Sequence, residues 1–547
     1  MRIALAQINP VIGDFSGNIK KITEYARKAK TKNQADIVLF PELSLCGYPP
    51  FDLLEHEKFI EQNATALRSL SESLPADLAA GLGYVKRNTA GKKLFNVYGI
   101  IHGNKVIFEQ YKKTIIRHDY FDETRYFESG ENPKIFEYKD ERIGILLNDD
   151  AWNDSENEVS DEVKKLSEQK ISMLVVPGAS PFTKGIHKTR CLNAEKISSQ
   201  YQIPVFFINT VGANDSVIFD GRSFAVGANG KSINAKSFEE DIILKNHPGL
   251  TAVKSISNDS DDLDDLEAAL VLGIRDYMKK CGFKKAHLGL SGGIDSALVV
   301  YLAAKAIGAE NVVCFNMPSQ FSSQGSRDDS LELAENLGCR YETLPIEKIY
   351  HTSLSVLEDV FENKPFDVAE ENLQARIRGL LWMAYSNKFN SMLLSAGNKS
   401  ELAMGYCTLY GDTNGALAPI GDIFKTEVFA LCKRINERSL EKTGKAIIPQ
   451  CIIDKPPSAE LRPGQKDQDS LPAYEILDEI LKCYLYENMS PEQIKNTGYD
   501  GELVNRVVRT IIRSEWKRRQ TPPVLKVSKR AFGIGGRMPL ARAIYEV

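Results

Sequence analysis

Leu288-Gly289-Leu290-Ser291-Gly292-Gly293-Ile294-Asp295-Ser296 joins an apolar run to a helix-forming one, and its small residues decide how the second half of the chain folds. Upstream, Ala286 to Leu290 reads as a buried strand; downstream, Ala297 to Ile307 reads as a helix stopped by Gly308, where a left-handed cap would fit. Val312 to Phe315 is the next strand. This order of strand, glycine-rich turn, helix and strand predicts a doubly wound parallel sheet that takes its ligand at the carboxyl ends of the strands. Ser291, Gly292 and Gly293 let backbone amides approach a pyrophosphate at a helix N-terminus, where the helix dipole also favours an anion. Asp295 adds a carboxylate suited to holding Mg²⁺ against those phosphates.

Just before this unit, Leu266, Leu270, Ile274 and Tyr277 or Met278 recur at helical spacing. The polar, acidic run from Ser255 to Asp265 cannot bury its own surface, so a boundary is expected around residues 250 to 262, dividing the chain into 1-250 and 251-547. In the first half, strand-like runs at Ile3 to Gln7, Ile37 to Phe40, Ile143 to Leu147, Met173 to Val176 and Val205 to Ile208 alternate in part with helical segments, which predicts a layered α/β domain.

Composition limits the partners. With 547 residues, 43% hydrophobic and 26% charged, the chain can build two or more cores. A net charge of -4 gives no general surface for nucleic acid or membrane, while small anionic substrates remain compatible. No run approaches the roughly 20 apolar residues that span a bilayer, so a soluble, cytoplasmic chain is expected. The nine cysteines form no CxxC and no paired spacing, which argues for reduced, mostly buried thiols.

The Ser-Gly-Gly-x-Asp-Ser string resembles the phosphate loop of the N-type ATP pyrophosphatases, and further strings narrow the likeness to the NAD⁺ synthetases. These are Glu371 to Gly379, Gly397-Asn398-Lys399-Ser400-Glu401, Gly405 to Asp412, Pro419 to Thr426, Lys455 to Leu461 and Glu515 to Gln520. Taken singly, Asn398 could be an ordinary helix cap and Lys425 an ordinary lysine; their joint order points to function. The resemblance implies that MgATP adenylates the carboxylate of nicotinic acid adenine dinucleotide (deamido-NAD⁺) and that ammonia then displaces AMP. It implies ATP contacts from Gly289, Leu290, Ser291, Gly292, Gly293, Ile294, Asp295, Ser296, Lys425 and Ser458, and Mg²⁺ held by Asp295 and Glu401. It further implies that the dinucleotide is bound by Asn372, Arg376, Glu401, Lys517 and Lys526. Arginine and lysine suit such sites because they stabilise phosphoryl charge without exchanging protons. Ala396 departs from the family's usual threonine, with Ser395 beside it.

The first half resembles the nitrilase-like amidases, which supply ammonia from glutamine through a Glu-Lys-Cys triad. Phe40-Pro41-Glu42 supplies the base, and Tyr111-Lys112-Lys113 supplies the lysine. Lys112 fits the distance to Phe121-Asp122-Glu123, but Lys113 fits the spacing from the tyrosine and is the favoured candidate. Where the family has its nucleophilic cysteine, this chain has Asn148 in Leu147-Asn148-Asp149-Asp150-Ala151-Trp152. An amide nitrogen, its lone pair delocalised into the carbonyl, cannot replace a thiolate. Two more departures surround the pocket: Ile186 follows Gly185, where glutamine-binding relatives have lysine, and Arg117-His118-Asp119 replaces Pro-Asn-Tyr. Ser180 is retained as the glutamine contact. Cys46 and Cys191 are read as buried thiols, and Asp149 as pointing elsewhere. The expected chain is therefore a long, glutamine-type synthetase that uses free ammonia or ammonia from a partner. Two other readings stand beside it: a non-standard nucleophile keeps glutamine use alive, or the first half is a scaffold for oligomerisation or regulation. A homo-oligomer is expected.

Overall fold

A computed structural model describes residues 1–91, 93–153, 158–227, 232–246 and 262–543. The chain forms two compact units, Met1–Asp262 and Leu263–Val547.

The first unit pairs two six-stranded sheets. One runs, in spatial order, Asp241–Asn246, Arg2–Gln7, Ile37–Leu39, Ala79–Arg87, Leu94–His102 and Lys105–Tyr111; the other runs Ser232–Asn234, Phe224–Val226, Val205–Asn209, Met173–Gly178, Glu141–Ile145 and Ile135–Tyr138. The strands that carry the site are parallel, and such strands are buried on both faces, which is why they read as continuous apolar runs rather than alternations. Ile3, Leu5, Leu39 and Tyr98 from the first sheet share one core with Ile143, Met173, Val175 and Phe206 from the second. Helices Phe15–Thr31 and Glu57–Ser73 cover the outside of the first sheet, packing Ile22, Ala26, Ala66 and Leu70 onto Val38 and Leu82. Val163, Leu166, Ala194 and Ile197 from Asp161–Glu168 and Ile186–Tyr201 do the same on the second. The result is a four-layer sandwich of helix, sheet, sheet and helix.

The second unit has a four-stranded, wholly parallel sheet in the order Arg340–Thr343, Val312–Asn316, Lys285–Gly289, Ser391–Leu393. Helix Ile294–Ile307 connects the two central strands and is buried along most of its length, as its uniformly apolar sequence requires. Gly308 ends it with φ 88° and ψ 138°, a positive φ but not the left-handed helical cap expected. Beyond the sheet, Tyr474–Leu485, Pro491–Asn496 and Gly501–Arg513 gather Leu477, Leu481, Val504 and Val508 around Phe424 in a separate helical core.

Most of the acidic run proposed as a linker lies outside the described residues. Its end, however, opens helix Asp262–Lys280, where Asp264 pairs with Arg434 at 3.0 Å and Arg438 at 2.9 Å. Among the described residues no helix is long and apolar enough to cross a membrane.

Candidate active sites

A cleft of about 300 Å³ opens at the carboxyl ends of the parallel strands. Gly289, Leu290, Ser291, Gly292, Gly293, Ile294, Asp295 and Ser296 line it together with Glu401, Lys425 and Ser458. The loop is shaped by its own hydroxyls: Ser291 Oγ accepts from Gly293 N at 3.2 Å, and Ser296 Oγ donates to Gly293 O at 3.0 Å. Two glycines are sterically required. A Cβ on Gly292, at φ +79°, would sit 2.3 Å from Ser326 O, and one on Gly289 would sit 2.3 Å from the Trp382 ring.

Asp295, in the first turn of its helix, meets Lys425 Nζ through Oδ2 and accepts from Asn398 Nδ2 through Oδ1 at 2.9 Å. Lys425 also reaches Glu401 at 3.2 Å. Asn398 caps helix Lys399–Met404 by accepting from Glu401 N at 3.0 Å, so one side chain ties the phosphate loop to the helix that carries Glu401. Burial pushes the Glu401 carboxyl up to about 8 against the pull of Lys425, and Asp295 adds to the rise. Burial disfavours the Lys425 charge, but Asp295 and Glu401 more than offset it and hold the ammonium above lysine's ordinary range. Among the described residues no group of three His, Cys, Asp or Glu side chains could hold a metal ion. Asp295 and Glu401 converge on Lys425 Nζ, and a pair of carboxylates is compatible with Mg²⁺, which characteristically takes one or two and fills its shell with substrate phosphates.

In the first unit the charged cluster forms around Lys112. Its Nζ lies 2.9 Å from Glu42 Oε1, 3.0 Å from Glu123 Oε2 and 3.4 Å from Asp149 Oδ2, with 1% of its side chain exposed. Lys113 is not in this site. Its side chain, 32% exposed, turns to Glu162 at 2.6 Å and Asn132 at 3.3 Å, because successive residues leaving a strand point to opposite sides. The lysine assignment is therefore corrected to Lys112. Burial raises the Glu42 carboxyl above its ordinary value against the opposing pull of Lys112, and Glu123 and Asp149 raise it further. Burial works against the Lys112 charge, yet Glu123, Glu42 and Asp149 outweigh it and hold the ammonium well above lysine's usual pKa. Glu42 also accepts from Asn96 Nδ2 at 2.7 Å and Ala179 N at 3.2 Å.

Asn148 follows strand Glu141–Ile145 at the start of a short turn, with φ +36° and 6% of its surface exposed. Asparagine is enriched several-fold at positive φ relative to most other non-glycine residues. Its Nδ2 donates to Asp149 Oδ2 at 3.0 Å, which brings it into the Lys112 cluster, and its buried Oδ1 has no hydrogen-bond partner. Asp150 fixes the opposite loop by accepting from Lys113 N at 3.1 Å and Thr114 N at 2.6 Å. Neither spare cysteine joins the cluster. Cys46 is buried with its thiol 3.4 Å from Gly47 O, Cys191 lies 3.6 Å from His187, and burial pushes each thiol up to about 12. Ser180 is already engaged: its Oγ accepts from Arg190 Nε at 3.0 Å and its carbonyl accepts from Asn209 Nδ2 at 3.0 Å. Ile186 opens helix Ile186–Tyr201 with no charge to offer a ligand.

Family sequence models divide the chain at the same place as its cores: carbon-nitrogen hydrolase matches residues 2–247 and NAD synthase matches residues 266–521. A glutamine-dependent NAD(+) synthetase of Synechocystis sp. is 44% identical, covering 99% of this chain and 99% of that protein. One from Acinetobacter baylyi is 39% identical over 98% of each. The chain belongs to the glutamine-dependent NAD(+) synthetase family. A solved structure, that of the glutamine-dependent NAD+ synthetase from Acinetobacter baumannii in complex with adenosine diphosphate, is similar with a TM-score of 0.79 at 36% identity and 98% coverage of both chains.

As a member of this family the chain is a ligase. Asn372, Arg376, Lys517 and Lys526 do not line the cleft. Three of them instead brace the segment Gly405 to Leu409: Asn372 Oδ1 accepts from Thr408 Oγ1 at 2.6 Å, Arg376 Nε donates to Leu409 O at 3.3 Å, and Lys517 Nζ donates to Gly405 O at 2.7 Å. Lys526 is buried and donates to Ser528 O at 2.6 Å. Ser395, beside the departure at Ala396, donates to Asp412 O at 2.9 Å. Six charged lining residues were given no site role by the sequence reading: Arg327, Arg378, Asp412, Lys455, Glu460 and Asp467. A signal existed for one of them. Arg376 and Arg378 stand two apart on helix Val368–Phe389, roughly 200° around its axis, so only one of the two can face the cleft.

Proposed function

We propose that this NAD⁺ synthetase joins ammonia, rather than glutamine-derived nitrogen, to nicotinic acid adenine dinucleotide at the expense of ATP, releasing AMP and pyrophosphate. The observation that carries the nitrogen source is Asn148, an amide linked through Asp149 to the Lys112 and Glu42 cluster where the family's chemistry needs a thiolate. A carboxylate resists amidation because its leaving group would be oxide, and adenylation replaces that with AMP. In this reading the amides of Ser291 to Ser296 cradle the ATP phosphates and Ser458 sits at the cleft wall. Asp295 and Glu401 would hold Mg²⁺, which supplies charge neutralisation at the phosphates. Asn372, Arg376 and Lys517, which brace Gly405 to Leu409, would contact the dinucleotide beside that segment, together with Lys526. Glu42 and Lys112 keep the residue types of an amidase base and oxyanion partner without a nucleophile to serve.

The test is NAD⁺ formation measured in parallel with ammonium and with glutamine, with products followed by mass spectrometry. Ammonium should support stoichiometric NAD⁺, AMP and pyrophosphate, and glutamine should yield no glutamate. Glutamate released one for one with NAD⁺ would defeat the reading. Asn148→Cys should restore weak glutamate release at most, and adding Ile186→Lys should raise it.

A further inference from the structure

The cleft contains two guanidiniums that form no ion pair among the described residues. Arg378 lines the cleft, and its Nε donates to Met317 O at 2.9 Å. Arg327 lines it too; its Nη2 donates to Ser322 O at 3.3 Å, and its buried Nε has no hydrogen-bond partner. Among the described residues neither guanidinium has an acidic side chain within the 4.0 Å of an ion pair. The cleft's lysines differ: Lys425 pairs with Asp295 and Glu401, and Lys455 pairs with Asp329.

Both guanidiniums are fastened to one stretch of backbone, Met317 to Ser322, which leaves strand Val312–Asn316 beside the phosphate loop. The two segments are joined where Leu290 N donates to Phe315 O at 2.8 Å. The carbonyls that hold the two arginines use one nitrogen of each and leave other donors of each fork for a ligand. Both arginines are half-buried at the cleft wall, and an arginine keeps its charge at neutral pH, so the spare donors of each fork call for an anionic partner. Burial lowers the Arg378 pKa to about 10, with Asp412 and Glu460 opposing, so the group stays charged. What compensates such a pair is an anion, and the planar fork of arginine matches phosphate oxygens two at a time.

We propose that Arg327 and Arg378 form a second anion receptor in the cleft, which holds phosphate oxygens of ATP, and of the pyrophosphate it releases, that the loop amides leave uncovered. This rests on the reading of the cleft as the ATP site. The experiment titrates the full-length protein with ATP and with inorganic pyrophosphate by calorimetry, and measures KM for ATP and for the dinucleotide. Arg378→Met and Arg327→Met remove the charge but keep most of the bulk, and Arg378→Lys restores charge without the fork. Each methionine variant should bind ATP and pyrophosphate at least tenfold more weakly, with KM for the dinucleotide within twofold of wild type, and Arg378→Lys should recover part of the loss. ATP and pyrophosphate affinities within twofold of wild type in both methionine variants, with thermal melting showing them folded, would overturn the proposal. So would a loss confined to the dinucleotide. Should a methionine variant fail to fold, Arg378→Lys decides: pyrophosphate affinity equal to wild type would refute a fork-specific contact. Wild-type protein that binds neither ATP nor pyrophosphate would refute the cleft assignment itself, a failure distinct from equal binding by wild type and variants.

Discussion

A lysine with 1% of its side chain exposed depends on its carboxylates in a way that one with 32% exposed does not. Lys112→Met would leave Glu42, Glu123 and Asp149 facing one another out of water, and breaking a buried charge cluster costs about 3–5 kcal/mol. Lys113→Met removes only a part-exposed pair with Glu162, worth about 0–1 kcal/mol. Chemical denaturation of both variants should separate them; equal stabilities would return the cluster's lysine to open question. Asp150 gives a pH test of the same loop. Burial raises its carboxyl from 3.8 to about 6 despite two backbone donors, so the folded state holds this proton more tightly than the unfolded state. Ionisation therefore costs stability progressively between about pH 4 and 6, reaching about 3 kcal/mol above that window. Asp150→Asn lacks this titration, so its stability relative to wild type should rise from pH 4 to pH 7. A difference that stays constant across that range would remove Asp150 as its source. The sequence made Glu42, Asp295 and Asn148 readable because each sits in an ordered string; it could not separate Lys112 from Lys113, since that choice depends on which side of a strand end faces inward.

The phosphate loop works as an element because Gly292 brings its backbone against helix Gln324–Leu337. Gly292→Ala combines a left-handed φ of +79° with a Cβ 2.3 Å from Ser326 O, so the loop itself must move. Activity should fall at least tenfold. Gly338→Ala is the control: it shares a positive φ, +73°, at the end of the same helix, but its Cβ would meet nothing within 4 Å. It should cost about 1 kcal/mol in stability and leave the rate unchanged. Steady-state rates and melting curves of both variants decide whether close approach or backbone strain governs the loop; an active Gly292→Ala protein would show that the loop tolerates displacement. Element types were legible where apolar period and punctuation agreed, as at Lys285–Gly289 and Ile294–Ile307. Helix Val368–Phe389 was less so: its apolar and charged residues are spread around the axis, so sequence alone did not say which face carries Arg378.

Two compact units imply two independently foldable halves at the scale of the chain. Every residue lining the cleft of the second unit lies between Gly289 and Pro522, and the hydrophobic clusters around Phe424 and Phe315 draw only on residues of that unit. Domain size also permits independence, since each half exceeds the length at which a single core becomes stable. The acidic run expected to mark the boundary lies mostly outside the described residues, and its last members are helical, with Asp264 paired to Arg434 and Arg438 some 170 positions later. No local signal could reveal a pairing so distant. If Asn148 has left the amidase-like half without chemistry, a fragment of residues 258–547 should form NAD⁺ from ammonium at a rate within about threefold of the full chain, as expected when sites do not couple. Neither protein should respond to glutamine. A fragment that is folded by circular dichroism yet slower by tenfold or more would show that the first half supports the synthetase by some route other than glutamine hydrolysis, and would favour a scaffold role for it.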